Sequence, residues 1–260
     1  MRHVTSRTVR LLAVGCLALA LAVPAAAAAD RYVALGDSFS SGVGTGSYTL
    51  SSSCKRSVYA YPYLVAQQRP GTTLDFEACS GATTADLMAN QIQAVPGATI
   101  VTVTIGGNDI HFADLIVQCT LGDCSSALTS TDASLGTVLK PRLDSVFGAI
   151  KAAAPGAKVV VLGYPQIFST ASCFGTLGIS ATERSKANLL AGDLDTLIGG
   201  RALAAGLIYR SAIGKFTGHA VCSSTPWLNG LNLFNTGESY HPNRNGHSQG
   251  YTPLVNDALK

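Results

Sequence analysis

The sequence predicts an α/β fold: a central parallel sheet of about five strands with helices on both faces. Short β-branched runs closed by Gly or Pro recur along the chain, and segments of helical periodicity lie between them. Strand–helix–strand repetition over this length is the pattern of a parallel sheet covered on both sides.

Taken in order, the first strand is "RYVALGD" (31–37), a short apolar run ending in Gly and Asp. "TLDFEAC" (73–79) alternates, as a strand with one polar face does. "TIVTVTIGG" (99–107) and "AKVVVLGYP" (157–165) are β-branched runs, and "GLIYRSAI" (206–213) is the fifth candidate. Between them, "ADLMANQIQAV" spaces Leu87, Ile92 and Val95 along one helix face. "LKPRLDSVFGAIKAAA" does the same with Leu139, Leu143, Val146, Phe147 and Ile150. "SATERSKANLLAGDLDTLIGG" opens on Ser180 and Glu183, the spacing of a capping box. Segments 38–57, 110–133 and 214–240, rich in Ser, Thr, Gly and Cys, read as excursions from this frame. No internal repeat or linker is visible.

Residues 1–29 read as a secretory signal peptide. Arg2, Arg7 and Arg10 form a positive start, "LLAVGCLALALAV" an apolar core and "AAAAA" a small-residue cleavage region before Asp30. The expected products are that leader and one domain over 30–260, exported from the cell. The 18 basic residues include the three leader arginines, so removing them leaves 15 basic against 15 acidic residues, formally neutral. No basic patch suggests nucleic acid, and no charge run suggests a disordered tail. Six cysteines remain after Cys16, and an even count in an exported chain implies three disulfides. Six cysteines allow 15 connectivities. The spacing suggests neighbours in order: Cys54–Cys79, Cys119–Cys124 and Cys173–Cys222. A metal site is the rival for 119–124, but four residues intervene and no second close pair follows, so no metal is expected there. No cofactor is expected either.

Open α/β sheets place ligands beyond the carboxyl ends of their strands. Directly after the first three strands come "GDSFSSG" with Ser38, "CSGAT" with Gly81 and "GGND" with Asn108. Each type has a use in ester cleavage. A serine hydroxyl attacks once a base removes its proton. The resulting oxyanion needs aimed donors, which the Ser38 and Gly81 amides and the Asn108 side chain could supply. The base is sought among His111, His219, His241 and His247. "ESYHPNRNGH" holds two of them, and Pro242 keeps His241 out of a helix.

The four blocks "GDSFSSG", "CSGAT", "GGND" and "ESYHPN" together resemble the SGNH (GDSL) hydrolases, whose four named residues match Ser38, Gly81, Asn108 and His241 in order. The cysteine pattern and "VLGYPQIF" narrow the resemblance to the secreted lipases and phospholipases A1 of streptomycetes. It implies a three-layer α/β/α flavodoxin-like fold, metal-independent ester hydrolysis and a shallow, largely lidless site. It also implies a monomer whose partners are lipid or other ester substrates, with transient contact to lipid surfaces. One block departs from the family pattern: Glu238 stands where most members carry the aspartate that orients the histidine. Either Glu238 takes that role, or the Ser239 backbone carbonyl accepts the Nδ1 proton, as in several members of the secreted branch. A carbonyl fixes the tautomer but cannot balance imidazolium charge.

The same blocks serve carbohydrate (acetyl) esterases, and a catalytically silent binding protein could keep the fold. Asp37 reads as a turn residue and Asp109 as a cap on the segment after the third strand. His111 and His219 lack ligand spacing. Trp227 reads as packing a disulfide-bounded loop, with Tyr48, Tyr59 and Tyr61 undecided. "GHSQG" (246–250) fits the G-x-S-x-G elbow, yet no histidine follows Ser248, as that elbow requires. Ser248 is expected in the first turn of the last helix.

Overall fold

The structure, a computed structural model, describes residues 29–260 together with Met1 and His3. The signal peptide expected over 1–29, Cys16 included, otherwise lies outside the described residues. In chain order the elements are β1 (Arg31–Gly36), α1 (Ser38–Ser41), α2 (Tyr61–Gln67), β2 (Thr73–Phe76), α3 (Thr84–Asn90) and β3 (Ile100–Thr104). They continue with α4 (Phe112–Gln118), α5 (Ser125–Ser134), α6 (Lys140–Ala153), β4 (Lys158–Leu162), α7 (Ala181–Ala204), β5 (Ile208–Arg210), α8 (Ile213–Phe216) and α9 (Thr252–Ala258).

The five strands form one sheet in the order β2-β1-β3-β4-β5, every pair parallel. That is the flavodoxin-like order, with its switch point between β1 and β3. Right-handed crossovers then send the β1–β2 connection to one face and the β2–β3, β3–β4 and β4–β5 connections to the other. Accordingly α2 packs with α9, whereas α3, α6, α7 and α5 pack side by side. The central strands β1 and β3 are buried almost throughout, which accounts for their continuous apolar runs. Strand β2, at the edge, is only half-buried and therefore alternates. Capping of α7 follows its sequence signature, with Ser180 Oγ accepting from the Glu183 amide and the Glu183 carboxylate from the Ser180 amide.

The sheet follows the five predicted runs, each trimmed where the chain turns toward the rim. The expected excursion at 110–133 is instead largely helical, in α4 and α5. Helix α5 is rich in Ser and Thr and buries only Leu128, so its apolar periodicity is too faint to announce it. Helix α2 likewise gave no periodic signal, although Pro62 in its first turn is a helix-start residue. Disulfides join Cys54 to Cys79, Cys119 to Cys124 and Cys173 to Cys222. They tie the loops beyond the strand ends, where the candidate site lies.

Candidate active site

Strand β1 delivers Asp37 and Ser38 to the rim. Asp37 caps α1, its carboxylate accepting from the Phe39 amide at 3.0 Å. Ser38 thereby becomes the first residue of that short helix, where its N–H has no intrahelical acceptor. Its hydroxyl Oγ lies 2.8 Å from His241 Nε2, and both residues are buried.

His241 stands on a loop held from behind by residues 227–229. The Asn229 amide donates to the His241 carbonyl at 2.9 Å, and the Tyr240 amide donates back to the Asn229 carbonyl at 3.1 Å. The Asn229 side chain also donates to the Gly44 carbonyl at 2.9 Å, joining the serine and histidine loops. At Gly44 (φ +94°) a Cβ would stand 2.6 Å from the Pro242 carbonyl oxygen and 3.0 Å from His241 Cβ. Only glycine lets the two loops approach so closely. Nothing in the sequence singled out Asn229; its partners are backbone groups distant in sequence.

The histidine ring is oriented by its own chain: Nδ1 meets the Ser239 carbonyl at 2.9 Å. Nδ1 must donate there, which leaves Nε2 free to accept from Ser38. The Glu238 carboxylate turns away from His241 and accepts from Tyr48 Oη at 2.6 Å and Asn235 Nδ2 at 3.0 Å. The geometry brings Ser239, and not Glu238, to the ring. Burial lowers the His241 pKa to about 4, with the Lys55 charge adding to the effect and the Ser239 hydrogen bond opposing it. The ring is therefore neutral, and a proton acceptor, at ordinary pH.

Gly81 and Asn108 complete the rim from β2 and β3. The Asn108 side chain donates one hydrogen to the Ala82 carbonyl at 2.9 Å, which fixes the amide plane and leaves a second N–H. Gly81 has φ +82° and open space where a Cβ would project, so the backbone conformation, rather than crowding, calls for glycine. Neither the Ser38 nor the Gly81 N–H donates to another group among the described residues. A groove of about 380 Å³ opens over these groups, lined also by Lys55, Thr83, Val117 and Gly237. A hydroxyl beside a neutral imidazole, with three free N–H donors around one opening, is a geometry for acyl transfer.

Beneath the groove, Asp37 does more than turn the chain. Its carboxylate also accepts from Thr104 Oγ1 at 2.7 Å and from the Tyr164 hydroxyl. Tyr164 Oη in turn accepts from the Gly107 amide at 3.1 Å, next to Asn108. Tyr164 thus fastens the Ser38 turn to the Asn108 turn. Burial raises the Asp37 pKa to about 6, against the pull of these hydrogen bonds.

The remaining candidates disperse. Asp109 does not cap its own segment but reaches across to α3, accepting from the Thr84 amide at 2.9 Å and Thr84 Oγ1 at 2.6 Å. His111 is exposed at the groove edge beside Asp114. His219 stacks on Trp227 with ring centroids 3.6 Å apart, and Phe216 meets the same indole edge-on. Tyr48 holds Glu238, Tyr59 lies under the Arg244 guanidinium, and Tyr61 is buried against Ser40. Ser248 sits in a widened helical turn, Gly246–Tyr251, that precedes α9 rather than in α9 itself. No strand leads into it.

Residues 34–249 match the model of the GDSL-like lipase/acylhydrolase family. Over 237 residues the chain is 45% identical to lipase 1 of Streptomyces coelicolor, covering 89% of this chain and 88% of that one. The crystal structure of an extracellular lipase from Streptomyces rimosus superposes with a TM-score of 0.84 at 44% identity, over 88% of this chain and all of that one. A phospholipase A1 from Streptomyces albidoflavus gives the same TM-score at 40% identity, over 89% of this chain and 100% of that one.

Proposed function

This chain belongs to the GDSL-like lipase/acylhydrolase family and is a carboxylic ester hydrolase, and we propose that it cleaves lipid esters through an acyl-enzyme on Ser38. The observation that carries this reading is the 2.8 Å approach of His241 Nε2 to Ser38 Oγ, with Nδ1 held by the Ser239 carbonyl.

Ser38 Oγ attacks the ester carbonyl while His241 Nε2 takes its proton. The oxyanion of the tetrahedral intermediate receives the Ser38 and Gly81 N–H groups and the free Asn108 N–H; each such donor contributes roughly 3–4 kcal/mol to transition-state stabilisation. Imidazolium then protonates the departing alkoxide, the C–O bond breaks, and the acyl group remains on Ser38. Water enters, gives a proton to His241 and adds to the acyl carbonyl. Collapse of this second intermediate returns the proton to Ser38 and releases the carboxylic acid. The charge on His241 during both steps has a carbonyl dipole and no carboxylate behind it, so the donors around the oxyanion carry the larger share of stabilisation.

A lipid substrate is favoured by exposed apolar side chains on the loop that leads into the groove. Leu233 (59% exposed) and Phe234 (fully exposed) stand just before Thr236, which lines the groove, and Phe174 (63% exposed) shares a separate neighbouring hollow with them. Apolar side chains so exposed near a site suit contact with a lipid surface. The enzyme acts as an exported monomer: residues 1–29 are the leader, 30–260 one catalytic domain, and the three disulfides suit an oxidising compartment. Fatty-acid release from an emulsified triacylglycerol and from a soluble p-nitrophenyl ester tests the reading. The wild-type chain releases acid from both and Ser38→Ala from neither; undiminished turnover by the variant would refute it.

A further inference from the structure

Six basic residues, Arg31, Arg56, Arg69, Arg142, Arg201 and Lys260, each stand within ion-pair distance of a carboxylate. Among the described residues Lys55 does not, like eight other lysines and arginines, but it is the one lysine or arginine that lines the groove beside Ser38, Gly81 and His241. The one acidic residue on the groove wall among the described residues, Asp114, faces His111 Nδ1 at 3.9 Å. Glu238, the other nearby acid, is held by Tyr48 and Asn235. Among the described residues, therefore, the opening over Ser38 carries an ammonium that no carboxylate meets within ion-pair distance.

The position of this lysine is built, not incidental. Lys55 has φ +50°, an uncommon conformation for a side-chain-bearing residue. Both of its neighbours are fastened to the segment that leads to Gly81. Cys54 is bonded to Cys79, and its carbonyl accepts from the Ser80 amide at 3.0 Å. Arg56 donates to the Ala78 and Glu77 carbonyls, each at 2.9 Å. The side chain then crosses the face of Tyr48, with Nζ 5.6 Å from the ring centroid. A Cβ on Gly237 would come within 3.5 Å of Nζ, so the glycine leaves the ammonium uncovered on that side. The Lys55 charge also reaches His241, where it helps to keep the imidazole neutral.

Resting on the serine-esterase reading above, we propose that Lys55 is an anion subsite that receives the phosphodiester of a glycerophospholipid whose acyl ester lies at Ser38. A phosphodiester carries one negative charge at neutral pH and only acceptor oxygens, which an ammonium matches with charge and three donors. In such a lipid the phosphate is joined to the acyl esters through the glycerol backbone, so one molecule reaches both groups along the groove. A triacylglycerol offers nothing to Lys55. The lysine selects among esters; it takes no part in bond breaking.

The test compares kcat/KM for a monomeric short-chain phosphatidylcholine with that for p-nitrophenyl butyrate in wild type, Lys55→Gln and Lys55→Arg, with inorganic phosphate as a competing probe. A charge-assisted hydrogen bond at a half-exposed site is worth about tenfold in rate, so Lys55→Gln lowers the phospholipid-to-butyrate ratio by about that factor and Lys55→Arg preserves most of it. Inorganic phosphate inhibits wild type more than Lys55→Gln. An unchanged ratio in a Lys55→Gln protein that retains the wild-type thermal midpoint overturns the proposal. So does inhibition by phosphate without any change in the ratio, which would make the site one for the free ion. Wild type that cleaves butyrate but no phospholipid removes the subsite and leaves the esterase reading standing; cleavage of neither removes both.

Discussion

His241 Nε2 lies 2.8 Å from Ser38 Oγ across 203 residues of chain, and among the described residues no carboxylate bonds to the imidazole. The Ser239 carbonyl holds Nδ1 at 2.9 Å, while Glu238 bonds to Tyr48 and Asn235. The geometry is that of a dyad with a backbone orienter, and the proposed mechanism rests on it.

Replacing Glu238 by Gln separates this arrangement from a triad. Removing the charge of a true orienting carboxylate lowers turnover about ten-thousandfold. Here Gln keeps an acceptor for Tyr48, so kcat for a p-nitrophenyl ester stays within about threefold of wild type, a change smaller than one typical hydrogen bond. Steady-state kinetics at neutral pH decide the matter, and a loss of a thousandfold or more would restore the triad.

The pH profile follows from burial. His241 is held down to about pKa 4 because its charged form is desolvated. Catalysis needs the neutral ring, so kcat/KM is at full value well above that pH and falls as pH drops through about 4. An unburied histidine would place the same limb near 6.5. Measuring kcat/KM on a neutral soluble ester from pH 3.5 to 8 checks this, provided the protein stays folded by circular dichroism. A limb centred near 6.5 would contradict the account.

Tyr164 links the turns that carry Ser38 and Asn108, donating to Asp37 and accepting from the Gly107 amide. Tyr164→Phe leaves a buried carboxylate oxygen and a buried N–H without that partner, a cost of about 1–3 kcal/mol in stability. Because the Ser38 and Asn108 turns are then less firmly joined, kcat drops about tenfold with KM little changed, as small misplacements of reacting groups do. Urea unfolding and kinetics on the same preparation read both effects. Wild-type values in both would show that the link has no role.

The exposed rim predicts a split between soluble and aggregated substrates. Leu233→Ser with Phe234→Ser removes apolar surface worth about 1.5–3 kcal/mol per side chain if each is buried in lipid. Sedimentation with phosphatidylcholine vesicles weakens at least tenfold, while hydrolysis of p-nitrophenyl butyrate is kept. Equal vesicle binding by both proteins would remove the lipid-contact role.

The sequence made the strand ends legible because parallel strands at the centre of a sheet are apolar throughout, and the residues that break each run stand at the rim. Ser38, Gly81, Asn108 and His241 all lie just past such a break or beside Pro242. Less visible was what holds them. Asn229 and Tyr164 act through backbone groups and carboxylates far away in sequence, and no local pattern marks such partners. Asp109 looked like a cap because capping residues recur at turns, yet its partner is Thr84 on another helix. Helix α5 stayed hidden because it buries a single apolar side chain. Two acceptable orienters, Glu238 and Ser239, stood side by side in the sequence. Only the left-handed turn at Tyr240 (φ +62°), which folds the chain so that His241 faces the Ser239 carbonyl, distinguishes them.

The central claim is that Ser38 is the nucleophile activated by His241. Mass spectrometry after treatment with a fluorophosphonate tests it most directly. One phosphonyl adduct on the peptide containing Ser38, absent from Ser38→Ala and formed far more slowly in His241→Ala, is the expected result. An adduct on another serine such as Ser248, equal labelling of Ser38→Ala, or no adduct on wild type would contradict it.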